Sequence, residues 1–310
     1  MARTHQLDAS KVHYAWDNAL SPLLSIDPGD TVVFDTRDAG DYYYSRGSTH
    51  ADVLARGPFR GHPLTGPVLI RGAHPGDVLV VDVIEVRPAL HFGWTAIRPG
   101  RGLLPVEDFP KPFFQIWDVT SGTHARSERG IAVPIEAFPG VMGVALDTPG
   151  EHSTMPPRKN GGNMDIKQLT AGSRLYLPVF IEGALFSVGD GHGAQGDGEV
   201  CVTAVEMAAR ITLRFGIEQG RALKEPQFRT PDTPGGARGP CYVTTAHGPD
   251  LHASAQQAIR YMIDHLVATR GLPREEAYIL CSVCVDLRIS EIVDAPHWIV
   301  SAFLPESVFR

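Results

Sequence analysis

The chain is short of cysteine, of long apolar runs and of surplus positive charge, and each shortage excludes a class of protein. Four cysteines in 310 residues are too few for a disulfide scaffold. Cys281 and Cys284 form a CxxC, but no second CxxC completes a zinc site, so both are expected as core thiols. Nowhere do about 18 apolar residues run uninterrupted, the length a membrane helix needs. The opening stretch MARTHQLDASKVHYAWDNAL lacks the apolar region of a secretory signal, which makes the cytoplasm the expected compartment. Lys and Arg total 28 against 35 Asp and Glu, a net charge of −7, and no basic stripe recurs. Nucleic acid and membranes are therefore not expected partners.

Familiar nucleophile systems are missing too. There is no GxSxG elbow and no Gly/Ser-rich Ser-Ser pair, and neither Cys201 nor Cys241 has a recognisable activating partner nearby.

What the chain does have is glycine and proline, which punctuate its first two thirds. DPGDTVVFDT and HPGDVLVVDVIEV repeat one device, a Pro-Gly-Asp turn that feeds a β-branched run. SRLYLPVFIEGALFSV and GEVCVTAVEMAARITLRF read as two more long strands. In the last third, Leu251, Ala255, Ala258, Ile259, Met262, Ile263 and Leu266 fall at helical spacing after Asp250, a good N-cap. Gly271 fits a C-cap, and Pro273 opens a second helical stretch, which places helices near 251–268 and 273–284. A helical pair packed on a sheet fits the acidic balance better than a DNA-reading pair. No linker divides the chain, so residues 1–310 are expected as one α+β, β-rich domain. Its β-rich part is about 1–245; the helix-containing part near 246–310, in which DLRISEIVD and HWIVSAFLP return to β, does not fold alone.

The two long strands flank GDGHGAQGDGE, Gly189 to Glu199, which is expected as the loop between them. Five glycines, three carboxylates, a histidine and a glutamine add almost nothing to an apolar core. Gly191 to Gly196 spell GxGxxG, but the dinucleotide fingerprint needs a helix after the third glycine, and the sequel here reads as strand. A solvated turn is one alternative. Against it, Asp190-x-His192 and Asp197-x-Glu199 repeat a spacing of two between groups that bind metals. Imidazole with carboxylates suits zinc, manganese, iron or, with more oxygens, calcium. Gly161-Gly162-Asn163-Met164-Asp165 offers a further carboxylate and an amide. His50 and His62 lie near turns and are assigned structural or exposed roles, with His50 the better outside ligand because Asp52 follows. Trp94, Tyr42, Tyr43 and Tyr44 fit either a pocket wall or core packing.

In order along nearly its whole length, WDNALSPLLSIDPGDTVVFDT, HPLTGPVLIRGAHPGDVLVVDV, GWTAIRPGRG, FPGVMGVA, PPRKNGGNMD, LYLPVFIEGALFSVGDGHGAQGDGEVC and PDLHASAQQAIRYMIDHL resemble the acetamidase/formamidase family of amide hydrolases. GGNMD and GDGHGAQGDGE are the most specific matches; Gly193 stands where members often carry alanine. The resemblance implies a β-sandwich core, hydrolysis of short amides such as formamide and acetamide, a bound metal and a homo-oligomer. On the motif positions we expect Asp165, Asp190 and His192 as ligands of a divalent ion, zinc first. Glu199 is assigned as general base and then acid, and Asp197 as a further carboxylate of the site. Asn163 and Gln195 are assigned to the substrate oxygen. The rival expectations are a binding protein stapled by its metal loop, and a hydrolase of another small acyl or amide compound.

Overall fold

Pro28-Gly29-Asp30 and Pro75-Gly76-Asp77 close the same turn in a computed structural model of the chain, which describes residues 2–221, 223–231 and 239–309. The Asp amide donates to the carbonyl three residues back, Asp27 or His74, at 3.0 Å in both. The Asp carboxylate in turn accepts the N–H of that same residue, at 3.2 and 2.9 Å. Gly29 and Gly76 have φ of 97° and 94°, which glycine adopts without a steric penalty. The turns launch the strands Thr31–Thr36 and Val78–Pro88.

Both strands belong to a nine-stranded sheet in the order Thr4–Leu7, Thr31–Thr36, Ala209–Glu218, Val78–Pro88, Arg174–Pro178, Gln227–Arg229, Cys241–Gly248, Trp298–Pro305 and Asp286–Glu291. Val78 to Val81 are all buried because the two faces of this sheet are both covered. Leu79 and Val81 point into the core shared with a second, twelve-stranded sheet, whereas Val78 and Val80 meet the helices. Across the core, Phe186 of the second sheet meets Phe215 edge-on at 5.0 Å and Phe34 at 6.1 Å. The result is a β-sandwich with a C-terminal helical pair on one flank. Leu251–Arg270 is capped by Asp250, which accepts from the Ala253 amide at 2.7 Å, and ends at Gly271 with φ 66°. Arg274–Cys284 follows, with Cys281 buried against the first helix and the sheet. A short helix, His50–Ala55, was not expected; Thr49 and Asp52 cap it reciprocally.

The glycine-rich stretch departs from expectation. Gly189 to His192 are not loop but the end of the strand Phe186–His192, in the second sheet. Its glycines serve close packing: a Cβ on Gly191 would stand 2.5 Å from the Ala209 Cβ of the facing sheet. Residues 199–205, expected as strand, are irregular, and regular pairing resumes only at Glu206–Met207 and Ala209–Glu218. Gly198 instead bridges to Glu291, with its amide on the Ser290 carbonyl at 3.0 Å.

Asp30 ties the chain's first strand to this frame. Burial raises the pKa of its carboxyl, but hydrogen bonds from the Arg3 amide, His5 and the Asp27 amide outweigh that and hold it down to about 2. A depressed folded pKa means stability that is present above the ordinary value of 3.8 and lost as pH falls towards 2. Asp30→Asn is expected to cost about 1–3 kcal/mol at neutral pH. In urea titrations at stepped pH its deficit should shrink through that acid window; a deficit independent of pH would contradict the assignment.

Candidate active site

The site is organised around a residue with no side chain. Gly140 lies in the strand Phe138–Gly143, which pairs on one side with Gly161–Asn163 and on the other with Phe186–His192. Its carbonyl accepts the amides of Met164 and Asp165 at 3.0 and 3.2 Å, while Pro139 and Val141 pair with Gly191 and Gly189. Asp190, in one neighbouring strand, and Asp165, two residues past the end of the other, therefore meet over Gly140. A Cβ there would lie 2.5 Å from Asp165 Oδ1, 2.8 Å from Asp190 Oδ2 and 2.9 Å from His192 Cε1. Asp165, Asp190 and Glu199 have φ of 46°, 57° and 47°, left-handed values that L-residues seldom adopt. Such conformations cost of order 1–3 kcal/mol each and persist where surrounding structure enforces them.

His192 is buried, with the Phe138 ring edge-on at 5.1 Å. Gln195 orients it: the Gln195 Nε2 donates to the Asp165 carbonyl at 2.7 Å, which turns its Oε1 towards His192 Nδ1 at 2.9 Å. In the neutral imidazole Nδ1 is then the donor, and Nε2 carries the lone pair. That nitrogen faces Glu206 Oε2 at 3.2 Å, Asp190 Oδ2 at 3.4 Å and Glu199 Oε1 at 3.9 Å. His192 Nε2, Asp165 Oδ1, Asp190 Oδ1 and Glu206 Oε2 are all buried without a hydrogen-bond partner. Acceptors gathered out of water repel one another unless a cation lies among them. Asp165, Asp190 and His192 form one group whose ligand atoms lie within 4.8 Å of one another; His192, Glu199 and Glu206 form a second, and Asp165, Glu199 and Asp294 a third. This donor set fits a divalent metal ion.

The protonation pattern carries the same message. Burial drives the Asp165, Glu199 and Asp294 carboxyls well above their ordinary values, against the pull of His192 on the first two and with neighbouring carboxylates adding. Glu206 is likewise pushed up by burial, to about 7. Burial opposes charge on His192, but Glu206 and Asp190 outweigh it and raise its pKa well above the usual value. Asp190 is the one carboxyl held low, because His192 and His62 overcome its burial. A proton on His192 thus supplies the positive charge that a metal ion would supply there.

Of the expected residues, Asp165, Asp190, His192 and Glu199 converge here. Asn163 adjoins them, with its Nδ2 donating to Asp294 and its Oδ1 unpartnered. Gln195 was expected on the substrate, yet both ends of its amide are engaged with His192 and Asp165. Asp197 lies outside the cluster, in ion pairs with Lys167 at 3.4 Å and Arg288 at 3.1 Å. His50, preferred over His62 as an outside ligand, instead stacks on Phe113 and accepts the Phe114 amide. His62 is the residue beside the site: its Nε2 is 3.7 Å from Asp190 Oδ2, and burial first, then the charge on His192, keep its pKa low against the pull of Asp190. Glu206, Glu291 and Asp294 were missed. Glu291 accepts the amides of Val293 and Asp294 and so shapes the turn that delivers Asp294. A charged residue inside an otherwise apolar run, as in AVEMAARI, was the available signal for Glu206. His62, Asn163, Asp165, Asp190, Glu199 and Glu206 share the lining of one cavity of about 600 Å³. Tyr44 and Trp94 line it too, whereas Tyr42 and Tyr43 are exposed.

A profile of the Acetamidase/Formamidase family matches residues 1–152 and 149–310. The chain belongs to that family. It is 27% identical to a formamidase of Methylophilus methylotrophus over 97% of this chain and 90% of the relative. The crystal structure of an acetamidase from Bacillus halodurans superposes with a TM-score of 0.88 at 30% identity, over 98% of each chain. A gamma lactamase from Delftia acidovorans is more distant, with a TM-score of 0.70 at 26% identity over 99% of this chain and 93% of the lactamase. The family fold and its candidate metal cluster are consistent with amide hydrolysis.

Gly140 offers a direct test of the cluster. Gly140→Ala should abolish metal uptake, measured by elemental analysis, while circular dichroism stays that of a folded β protein. A variant that loads metal like the parent would refute the role given to Gly140.

Proposed function

We propose that the protein is a metal-dependent hydrolase of linear amides, with formamide and acetamide as the minimal substrates. The observation that carries this reading is His192 Nε2, buried without a partner and facing three carboxylates. A purely structural metal site needs no spare acid, and this cluster has several; that favours an enzyme over a stapled binding protein. Asp165, Asp190 and His192 would hold the ion, with Glu206 beside them, and an imidazole with carboxylates suits zinc first. A divalent ion held there supplies Lewis acidity, which polarises a carbonyl and makes water more acidic.

The remaining work falls to the chain's own groups. Hydrolysis breaks the C–N bond, joins a water oxygen to the carbonyl carbon and leaves a carboxylate and ammonium. Glu199 takes the water proton and passes it to the departing nitrogen, a role for which a buried carboxyl of raised pKa is suited. Asn163 stands within the cavity to orient the amide. Gln195 keeps the His192 ring in the tautomer that turns Nε2 to the ion.

His192→Ala should lose metal and ammonia release together. Glu199→Gln should keep its metal, with turnover falling by about two to four orders of magnitude and KM little changed. Metal content measured beside kcat separates the two. A metal-free Glu199→Gln would make Glu199 a ligand, and full turnover in metal-free parent protein would remove the ion from the mechanism.

A further inference from the structure

The cavity over the acidic cluster is larger and more cationic than acetamide requires. Its volume is about 600 Å³. Three or four non-hydrogen atoms, at roughly the 30 Å³ of a liquid water each, need on the order of 100 Å³. Beyond the acidic groups its wall carries Arg56, Arg98, Arg101 and Arg158. Many of the other arginines pair with carboxylates, as Arg37 does with Asp41, Arg174 with Asp82 and Arg210 with Asp35. Among the described residues these four form no such pair. Arg56, Arg98 and Arg158 donate only to the backbone carbonyls of Ala39, Gly57 and Ser153, at 2.6, 3.0 and 3.3 Å. Arg56 is steadied by the rings of Tyr44 and Phe59, 5.9 and 5.8 Å from its guanidinium carbon. Burial depresses the Arg158 pKa, the mark of a guanidinium partly stripped of water with no anion to offset the loss.

The acidic cluster does not account for these charges. Asp165, Asp190, Glu199, Glu206 and Asp294 line the same cavity, yet none forms an ion pair with an arginine, and a divalent ion among them would offset part of their charge. Four arginines then line the same space in a chain whose net charge is −7. Such a wall attracts anions, and arginine binds carboxylates through paired, charge-assisted hydrogen bonds.

We propose that the cavity takes an amide bearing a carboxylate on its acyl chain, the amide lying over the acidic cluster and the carboxylate against the arginine wall. The monoamide of a dicarboxylic acid is the simplest such molecule. The proposal rests on the amide-hydrolase reading for its chemistry and on the arginines for its selectivity, and the two are tested apart. Metal-loaded protein is assayed for ammonia release from acetamide, pentanamide and glutaramate. The kcat/KM for glutaramate should exceed that for pentanamide, its neutral counterpart of equal length, by tenfold or more. That ratio should fall by about tenfold in Arg98→Gln and in Arg101→Gln, the loss of one charge-assisted hydrogen bond. Arg101 is exposed, so its replacement leaves the packing intact. In parallel, thermal unfolding is followed with glutarate or butyrate added. Glutarate should protect the parent more than butyrate, and that difference should disappear in the arginine variants.

Equal turnover of glutaramate and pentanamide, or a preference untouched by both substitutions, would overturn the proposal and leave the amide-hydrolase reading standing. No turnover of any amide, with glutarate protection that depends on the arginines, would overturn the hydrolase reading and keep the anion-binding wall. Neither turnover nor selective protection would overturn both.

Discussion

Lone pairs gathered in a place without water are the constraint on which the rest of this molecule depends. His192 Nε2 and the oxygens of Asp190, Glu199 and Glu206 lie within 3.9 Å of that nitrogen and are buried. Coulomb repulsion among them grows as the surrounding dielectric falls, so the arrangement is stable only with positive charge at its centre. A proton on His192 and on several carboxyls is one solution, which the raised pKa values express. A divalent cation is the other, and it would free the same groups to handle protons of a substrate.

The scaffold is strained and thinned in order to reach this state. Three of the converging residues adopt left-handed backbone conformations, and Gly140 gives up a side chain so that two carboxylates from separate segments approach each other. These losses are offset by what surrounds them: a sandwich whose Phe34, Phe186 and Phe215 interlock across the core, each burial contributing about 1.5–3 kcal/mol. Phe186 begins the very strand that ends in Asp190 and His192, so core packing and site geometry are set by one seven-residue element.

How much of this could be read from the sequence depends on whether the residues act within one element. The Pro-Gly-Asp turns and the capped helix Leu251–Arg270 are local, and both stand close to where spacing puts them. Asp190-x-His192 was legible only as two ligand types two residues apart; its stretch was expected as loop and is the end of a strand. The identical spacing Asp197-x-Glu199 does not bring both residues to the cluster, because the chain there is irregular. Glu199 turns inward with φ 47°, while Asp197 turns out to Lys167 and Arg288. His62, Glu206 and Asp294 reach the site from distant parts of the chain, and nothing in their neighbours fixes that approach. At Gly191 and Gly140 the structure uses glycine as room for a close neighbour, which composition alone does not reveal.

Opposite charges within one cavity give the site a direction. The acidic cluster, with an ion bound, would present Lewis acidity and a proton carrier; the arginines present fixed positive charge on the same lining. A small neutral amide interacts with the first alone and gains nothing from the second. A substrate that carries its own anion is bound at both, and binding energy from the remote group holds the reacting amide in place, the condition under which distant contacts accelerate a reaction. The net charge of −7 makes a cluster of unpaired guanidiniums stand out against an acidic chain, which favours anion capture at that wall.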